Sequence, residues 1–384
     1  MNPPSALLVF SGLLTLAHPC LGKNVTAQNQ DELRAAIKSA KPGTTITLAP
    51  GKYRGGITLT RLSGKAGAPV IITGADLKNP PRFTGGTEAL HLSDCTYVTL
   101  RNLHISGYPG NGINIDDGGS FGTPSHHITV ENVTIENTGP KGNHDALKLS
   151  GLTDFTIKNC TFRGWAGSAI DMVGCHRGVI EGCTLTGDKE FTESSGIQIK
   201  GGTTKIMVRK CFFNRAGQRA INLGGSTGLT YFRPSVTDYE AKDITIAGNR
   251  FLGSEAPIAW VTAHGGHVHH NTFVLPDKWV MRILQESKDP RFKPCHGGVF
   301  EHNLVVFNKN VRVFANIGPG TDATSFTFRR NAWFELDGSR KPDLPAHESD
   351  GIHQPVLKIH GLLTGQMKFS STDPKLKQVG ADAL

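Results

Sequence analysis

A short phrase recurs through most of this chain and limits what it can fold into. Apolar and polar residues alternate up to a Cys or Asn that follows an Asn, a Gly or a longer polar residue, and another apolar residue comes two places later. It reads Thr156–Phe162, Val179–Leu185, Met207–Phe213, Thr245–Phe251, His267–Phe273, Val299–Val305 and Thr327–Trp333. Two earlier copies, Thr99–Ile105 and Thr129–Ile135, carry Leu103 and Val133 at the Cys/Asn slot. From residue 103 the slots step by 30, 27, 23, 28, 38, 22, 32 and 28 residues. Such a period with two-residue apolar alternation means stacked coils of short strands.

A second strand, often closed by Gly, precedes several copies: Asn111–Ile115, Asp145–Leu149, Ser168–Met172, Ser195–Ile199 and Arg219–Leu223. Alternation sends Ile113/Ile115, Leu147/Leu149, Ile170/Met172, Ile197/Ile199 and Ile221/Leu223 inward. Helical leucine spacing is missing, which excludes a leucine-rich repeat, and propeller blades run longer. The expected fold is all-β, a single-stranded right-handed parallel β-helix. Cys160, Cys183 and Cys211 occupy the slot that Asn fills later, so they are read as a buried thiol stack rather than as disulfides.

The expected layout is a signal peptide over 1–22, an N-terminal capping helix within 23–44, the β-helix over 45–335 and an irregular C-terminal cover over 336–384. The apolar run of residues 6–17 is too short to span a bilayer and reads as a secretory leader. The chain is therefore expected to be secreted or periplasmic, at the cell surface, with no membrane span. Leu33, Ala36, Ile37 and Ala40 share one face of the helix begun by Asn29, fit to close the solenoid's open end.

The formal charge of +9 lies wholly outside the leader. A basic exported β-solenoid favours an anionic partner, an acidic polysaccharide, bound by a monomer. Aromatics interleaved with Lys and Arg are lacking, so no nucleic-acid partner is expected. His264–His270 is read as turn and surface histidines.

The run Asp31–Tyr53 resembles the opening of right-handed β-helix polysaccharide lyases, including the alginate lyase and chondroitinase B group. Ala68–Gly74 resembles their second coil, and likeness to the pectate-lyase-like superfamily covers about residues 25–335. The resemblance implies fold more than reaction, because many chemistries share that solenoid.

The outward position of the second strand reads Asn114, Lys148, Asp171, Gln198 and Asn222 over successive coils, stacked about 4.8 Å apart. Asp116, Asp117, His144, Asp145, Lys200 and Arg219 stand at its margins. Small Gly112, Ala146, Ala169, Gly196 and Ala220 precede the stripe and leave room for a ligand. His144–Gly151 resembles the strand that carries the base lysine of calcium-dependent pectate lyases. Lys148 is thus the expected base for removing the C5 proton of a uronate, its ammonium destabilised by Arg219 or Lys200. Arg219 and Asp171 would neutralise or orient substrate, with His144 as acid. Asn114, Gln198, Lys200, Asn222, Tyr231 and Arg233 would bind it, the last two from the long insertion Gly224–Pro234. Asp116, Asp145 and Asp171 are candidate ligands for calcium, the one cofactor expected. Gly142–Asp145 is also similar to a motif of mannuronan C5-epimerases. A glycoside hydrolase using Asp145 with Asp171, and a non-catalytic polysaccharide-binding or envelope solenoid, stay open.

Overall fold

The computed structural model describes residues 22–355, 357–361 and 367–383. The leader expected over 1–22 lies, apart from Gly22, outside them. Three parallel sheets of 16, 10 and 12 strands run the length of a right-handed β-helix, and the chain visits each sheet once per coil. Parallel strands need crossovers, and here the next sheet is the crossover, so each coil hides its inner face against the other two.

The repeated phrase forms the corner between the 16-stranded and 12-stranded sheets. The residue before the slot turns the chain through the left-handed region, with φ of 54° at Asn159, 64° at Gly182 and 66° at Gly248. That conformation suits Asn and Gly, and explains their place in the phrase. Lys210, His270, His302 and Arg330 adopt it too, at φ of 51–53°.

Inside the corner, Asn249, Asn271, Asn303 and Asn331 stack as a hydrogen-bonded ladder. Each Oδ1 accepts the backbone N–H of the preceding rung, at 2.9 Å from Asn249 to Asn271 and 3.0 Å from Asn303 to Asn331. Each Nδ2 donates to a backbone carbonyl at the same corner of the preceding coil, as from Asn271 to Ile246 O at 2.9 Å. Cys160, Cys183 and Cys211 continue the stack as buried free thiols, the Cys183 N–H meeting Cys211 Sγ at 3.4 Å. Two residues on, Phe213, Phe251 and Phe273 stack at 4.6 and 4.7 Å between ring centroids. Outside the 16-stranded sheet, ion pairs of opposite sign join neighbouring coils, Glu131 with Lys158 at 3.1 Å and Glu181 with Arg209 at 2.8 Å.

The ends are closed by different means. The helix Gln30–Ser39 is capped by Asn29, whose side chain accepts from the Asp31 and Glu32 N–H groups, and it buries Leu33 and Ala36 against the core. An N-terminal strand, Asn24–Ala27, pairs with Thr45–Leu48 and forms the sheet edge. At the other end strand pairing passes the expected boundary at 335: Glu348–Ser349 and Ile352–His353 still add to the ladders. Beyond them Leu357, Ile359, Met367, Phe369 and Leu376 cover an apolar outer patch of the 12-stranded sheet made by Leu252, Val274, Leu304 and Val306.

Asn271→Ala leaves the Asn249 N–H buried without a partner and should lower stability by roughly 2–3 kcal/mol. Asn271→Cys, which restores a weak acceptor, should lose less. Denaturant unfolding of the two variants checks the order.

Candidate functional site

The second strand of each coil lies in the 10-stranded sheet, and its register aligns Asn114, Lys148, Asp171, Gln198 and Asn222 as expected. The stripe runs on in both directions, to His91 before Asn114 and to Ala259 and Arg282 after Asn222. His91 was within reach of the sequence, since Leu90 and Leu92 alternate around it.

The small residues beside the stripe do not make room for a ligand. Ala146, Ala169 and Ala220 are buried. A Cβ on Gly112 would come within 2.5 Å of Ala146 O and 2.6 Å of an Ile135 methyl. Close packing of coil on coil at that bend demands the small side chains.

Charge gathers at Lys148. Its Nζ lies 2.7 Å from Asp171 Oδ2 and 3.1 Å from Asp145 Oδ2, and Lys200 Nζ lies 3.1 Å from Asp171 Oδ1. Both carboxylates are only 1% exposed, against 28% and 23% for the two lysines. Burial opposes the Lys148 charge, but Asp171 and then Asp145 outweigh it and hold the ammonium well above the ordinary lysine value. This corrects the expectation of a destabilised ammonium: Arg219 is engaged elsewhere, with Glu286 at 2.8 Å and Asn222 at 3.3 Å. Desolvation and the Asp171 charge push the Asp145 carboxyl up, while Lys148 and the Ser168 N–H draw it down.

The insertion supplies a wall. Arg233 lies against Gly174 and reaches back to Asp117, 3.0 Å from its Oδ2, while Phe232 is buried and Tyr231 stays exposed. Lys148, Asp171, Lys200, Tyr231 and Arg233 line a cleft of about 410 Å³, together with Asn143. A smaller depression of about 290 Å³ adjoins it through Lys200 and Ser226 and holds Gln198, Arg219 and Asn222. A larger hollow of about 640 Å³ beside the C-terminal cover has Arg330 and Asp350 as an exposed pair, with no such buried charge.

Other expected residues fall outside this cluster. The His144 ring stands over Gly139 and Gly142, not among the residues lining the cleft. Asn114 is held by Asn111 and Glu88. Asp116 accepts from Ser93 at 2.8 Å and pairs with His91 at 2.6 Å; burial works against its charge, but these bonds and the Gly118 N–H keep its carboxyl low. Calcium takes six to eight oxygen ligands, whereas Asp145 and Asp171 are neutralised by lysine and Asp116 is engaged in the preceding coil. Among the described residues no three His, Cys, Asp or Glu side chains converge on a metal position. Asp116, Asp145 and Asp171 therefore do not form a calcium donor set. Nor do Asp145 and Asp171 stand free on either side of a glycosidic bond, since both lie beneath Lys148. His267 pairs with Glu301 of the next coil at 2.7 Å, a carboxylate partner that strand spacing did not disclose.

Besides Glu88 and Glu301, three carboxyls on connections escaped the sequence reading. Glu286 holds Arg219, and Glu240 is buried behind the insertion. Glu193, on the turn leading into Ser195–Lys200, is pushed up to about 8 by desolvation. No periodic signal marks such residues, because all three lie on connections rather than on the ladder.

Removing Lys148 leaves buried Asp145 without its cation, while Asp171 keeps Lys200. Lys148→Met should cost roughly 3 kcal/mol at neutral pH, and Asp145→Asn in the same chain should restore much of it; unfolding of single and double variants measures the coupling. Glu193 retains in the folded state a proton that the unfolded chain releases. Stability should accordingly fall as pH rises from the ordinary glutamate value through about 8. Melting curves of Glu193→Gln across that range should show a flatter dependence than the parent chain.

Residues 88–274 match the family model described as right handed beta helix region. No curated protein matches the chain in sequence. Among solved structures, a PL6 family polysaccharide lyase, Pedsa3628, from Pseudopedobacter saltans is 14% identical with a TM-score of 0.57, over 93% of this chain and 99% of that one. Pectate lyase Pel9A is 14% identical with a TM-score of 0.52, over 79% of this chain and 80% of its own. The A-module of the mannuronan C-5 epimerase AlgE6 from Azotobacter vinelandii is 13% identical with a TM-score of 0.52, over 86% and 96%. At these identities the likeness is one of fold, and it agrees with the coil-by-coil geometry: the chain is a right-handed parallel β-helix.

Proposed function

We propose that this protein is an exported polysaccharide lyase that cleaves a uronate-containing polymer by β-elimination in the Lys148 cleft. The observation that carries the reading is the pair of lysine heads, Lys148 and Lys200, presented to the cleft and held there by buried Asp171. Lys148 donates toward Asp145 and Asp171, which leaves its third position, the lone pair when the amine is neutral, facing the substrate. Lys200 and Arg233 add cationic donors on the same side. A sugar carboxylate seated there would have its charge neutralised, which acidifies the neighbouring C5–H. Exposed Tyr231 offers a face for the sugar ring. No helix among the described residues is long and apolar enough to cross a membrane.

In the reaction, the neutral amine of Lys148 takes the C5 proton. The C5–H electrons become the C4–C5 double bond, the C4–O4 bond breaks, and the leaving oxygen takes a proton from water. Asp145 and Asp171 hold the lysine in place and keep most of it protonated at neutral pH. The active fraction is then small and grows with pH.

The test is absorbance of the unsaturated uronate product on pectate, alginate, chondroitin, heparin and ulvan. One substrate should give a rising signal, with kcat climbing through the alkaline range. Lys148→Ala should abolish it, and Lys200→Ala or Arg233→Ala should raise KM by about tenfold each. A flat trace on the whole panel would sink the lyase reading. Solvent deuterium gained at C5 without unsaturation would then mark an epimerase, new reducing ends a hydrolase, and binding without turnover a carrier or envelope protein.

A further inference from the structure

Glu240 is wholly buried, yet its carboxylate ties together three separate segments. Oε2 accepts from the Gly201 N–H and the Thr227 hydroxyl, each at 2.7 Å. Oε1 accepts from the Thr227 N–H at 2.7 Å and the Ser287 hydroxyl at 3.0 Å. Every donor adjoins a group already placed at the cleft. Gly201 follows Lys200, Thr227 lines the cleft four residues before Tyr231, and Ser287 follows Glu286, the partner of Arg219.

Glu240 is itself fixed to the coils. Its N–H donates to Thr262 O and its carbonyl accepts from the Gly202 N–H, both at 2.9 Å. The same insertion is fastened at a second point by Arg233 on Asp117, 3.0 Å apart. A buried carboxylate is costly unless its lone pairs are filled. Here neutral donors fill them, two of them backbone N–H groups that would otherwise be left unpaired.

We infer that Glu240 is a positioning residue: it fixes the backbone after Lys200 and the start of the Thr227–Arg233 segment, so that an acidic sugar meets a preformed wall. The ligand named here rests on the lyase reading above. The contacts that hold the wall do not. Preorganisation of this kind acts on binding by sparing the ordering cost of a loop.

The experiment uses the full chain. Glu240→Gln keeps the volume but turns an amide N–H toward donors that now meet an acceptor. On the polymer that the parent chain turns over, KM should rise about tenfold with kcat changed less than about twofold. Chymotrypsin should cut after Tyr231 at least about tenfold faster, because that site opens locally. Asn271→Ala, an equally buried loss outside the cleft, should lower the melting temperature and move neither readout.

If Glu240→Gln leaves KM and the Tyr231 cleavage rate as Asn271→Ala does, the inference is overturned. Should the parent turn over nothing, the lyase reading fails alone, and the cleavage rate still decides for or against Glu240. Should Glu240→Gln not fold, Ser287→Ala removes one bond and must show the same two changes, at smaller size, for the inference to stand.

Discussion

The inward stack at the corner slot, thiol in the coils of Cys160, Cys183 and Cys211 and amide in those of Asn249 to Asn331, is the contact on which the remaining geometry depends. Asn249, Asn271, Asn303 and Asn331 each accept the N–H of the rung before and donate to a carbonyl of that same coil, so one side chain satisfies two backbone groups of its neighbour. A buried amide that misses its partner costs about 1–3 kcal/mol. That penalty sets the register of coil on coil, and register decides which outward side chains become neighbours. Lys148 stands over Asp171, and not over its flanking residues, because a one-residue slip would turn Leu147 and Leu149 away from Ile170 and Met172 in the core.

Charge at the cleft follows from that stacking. A lone lysine on a polar stripe would be an ordinary surface cation. Set above two carboxylates that are 1% exposed, it becomes the lid of a buried ion cluster, and the same carboxylates raise its proton affinity. Binding and proton transfer are thereby linked: the anions that place the amine also oppose its deprotonation. Lys200 shares Asp171, so the two heads, on the coils either side of Asp171, are held as a pair.

Much of this was readable before any coordinates, for a physical reason. Each coil repeats the same local problem, so the solution repeats in the sequence: alternation for the inner face, Asn or Gly at the left-handed corner, Cys or Asn at the slot. The outward stripe could be aligned from the same spacing, and Lys148 with Asp171 emerged as neighbours. Side-chain partners within the stripe were less accessible. Arg219 was placed beside Lys148 because both lie near one face, but Glu286, on a connection many residues later, holds it elsewhere. The small residues beside the stripe were read as space, whereas they answer to the bend beneath them.

By itself, then, the sequence determined the architecture, the inward and outward faces and the polar stripe, since all of these depend on local periodicity. Tertiary structure decided which charges meet, which carboxylates are buried, and how the insertion is fastened by Asp117 and Glu240. Those contacts join residues 13 to 116 positions apart with no repeating spacing. Their energies depend on burial and distance, and neither exists until the coils have stacked.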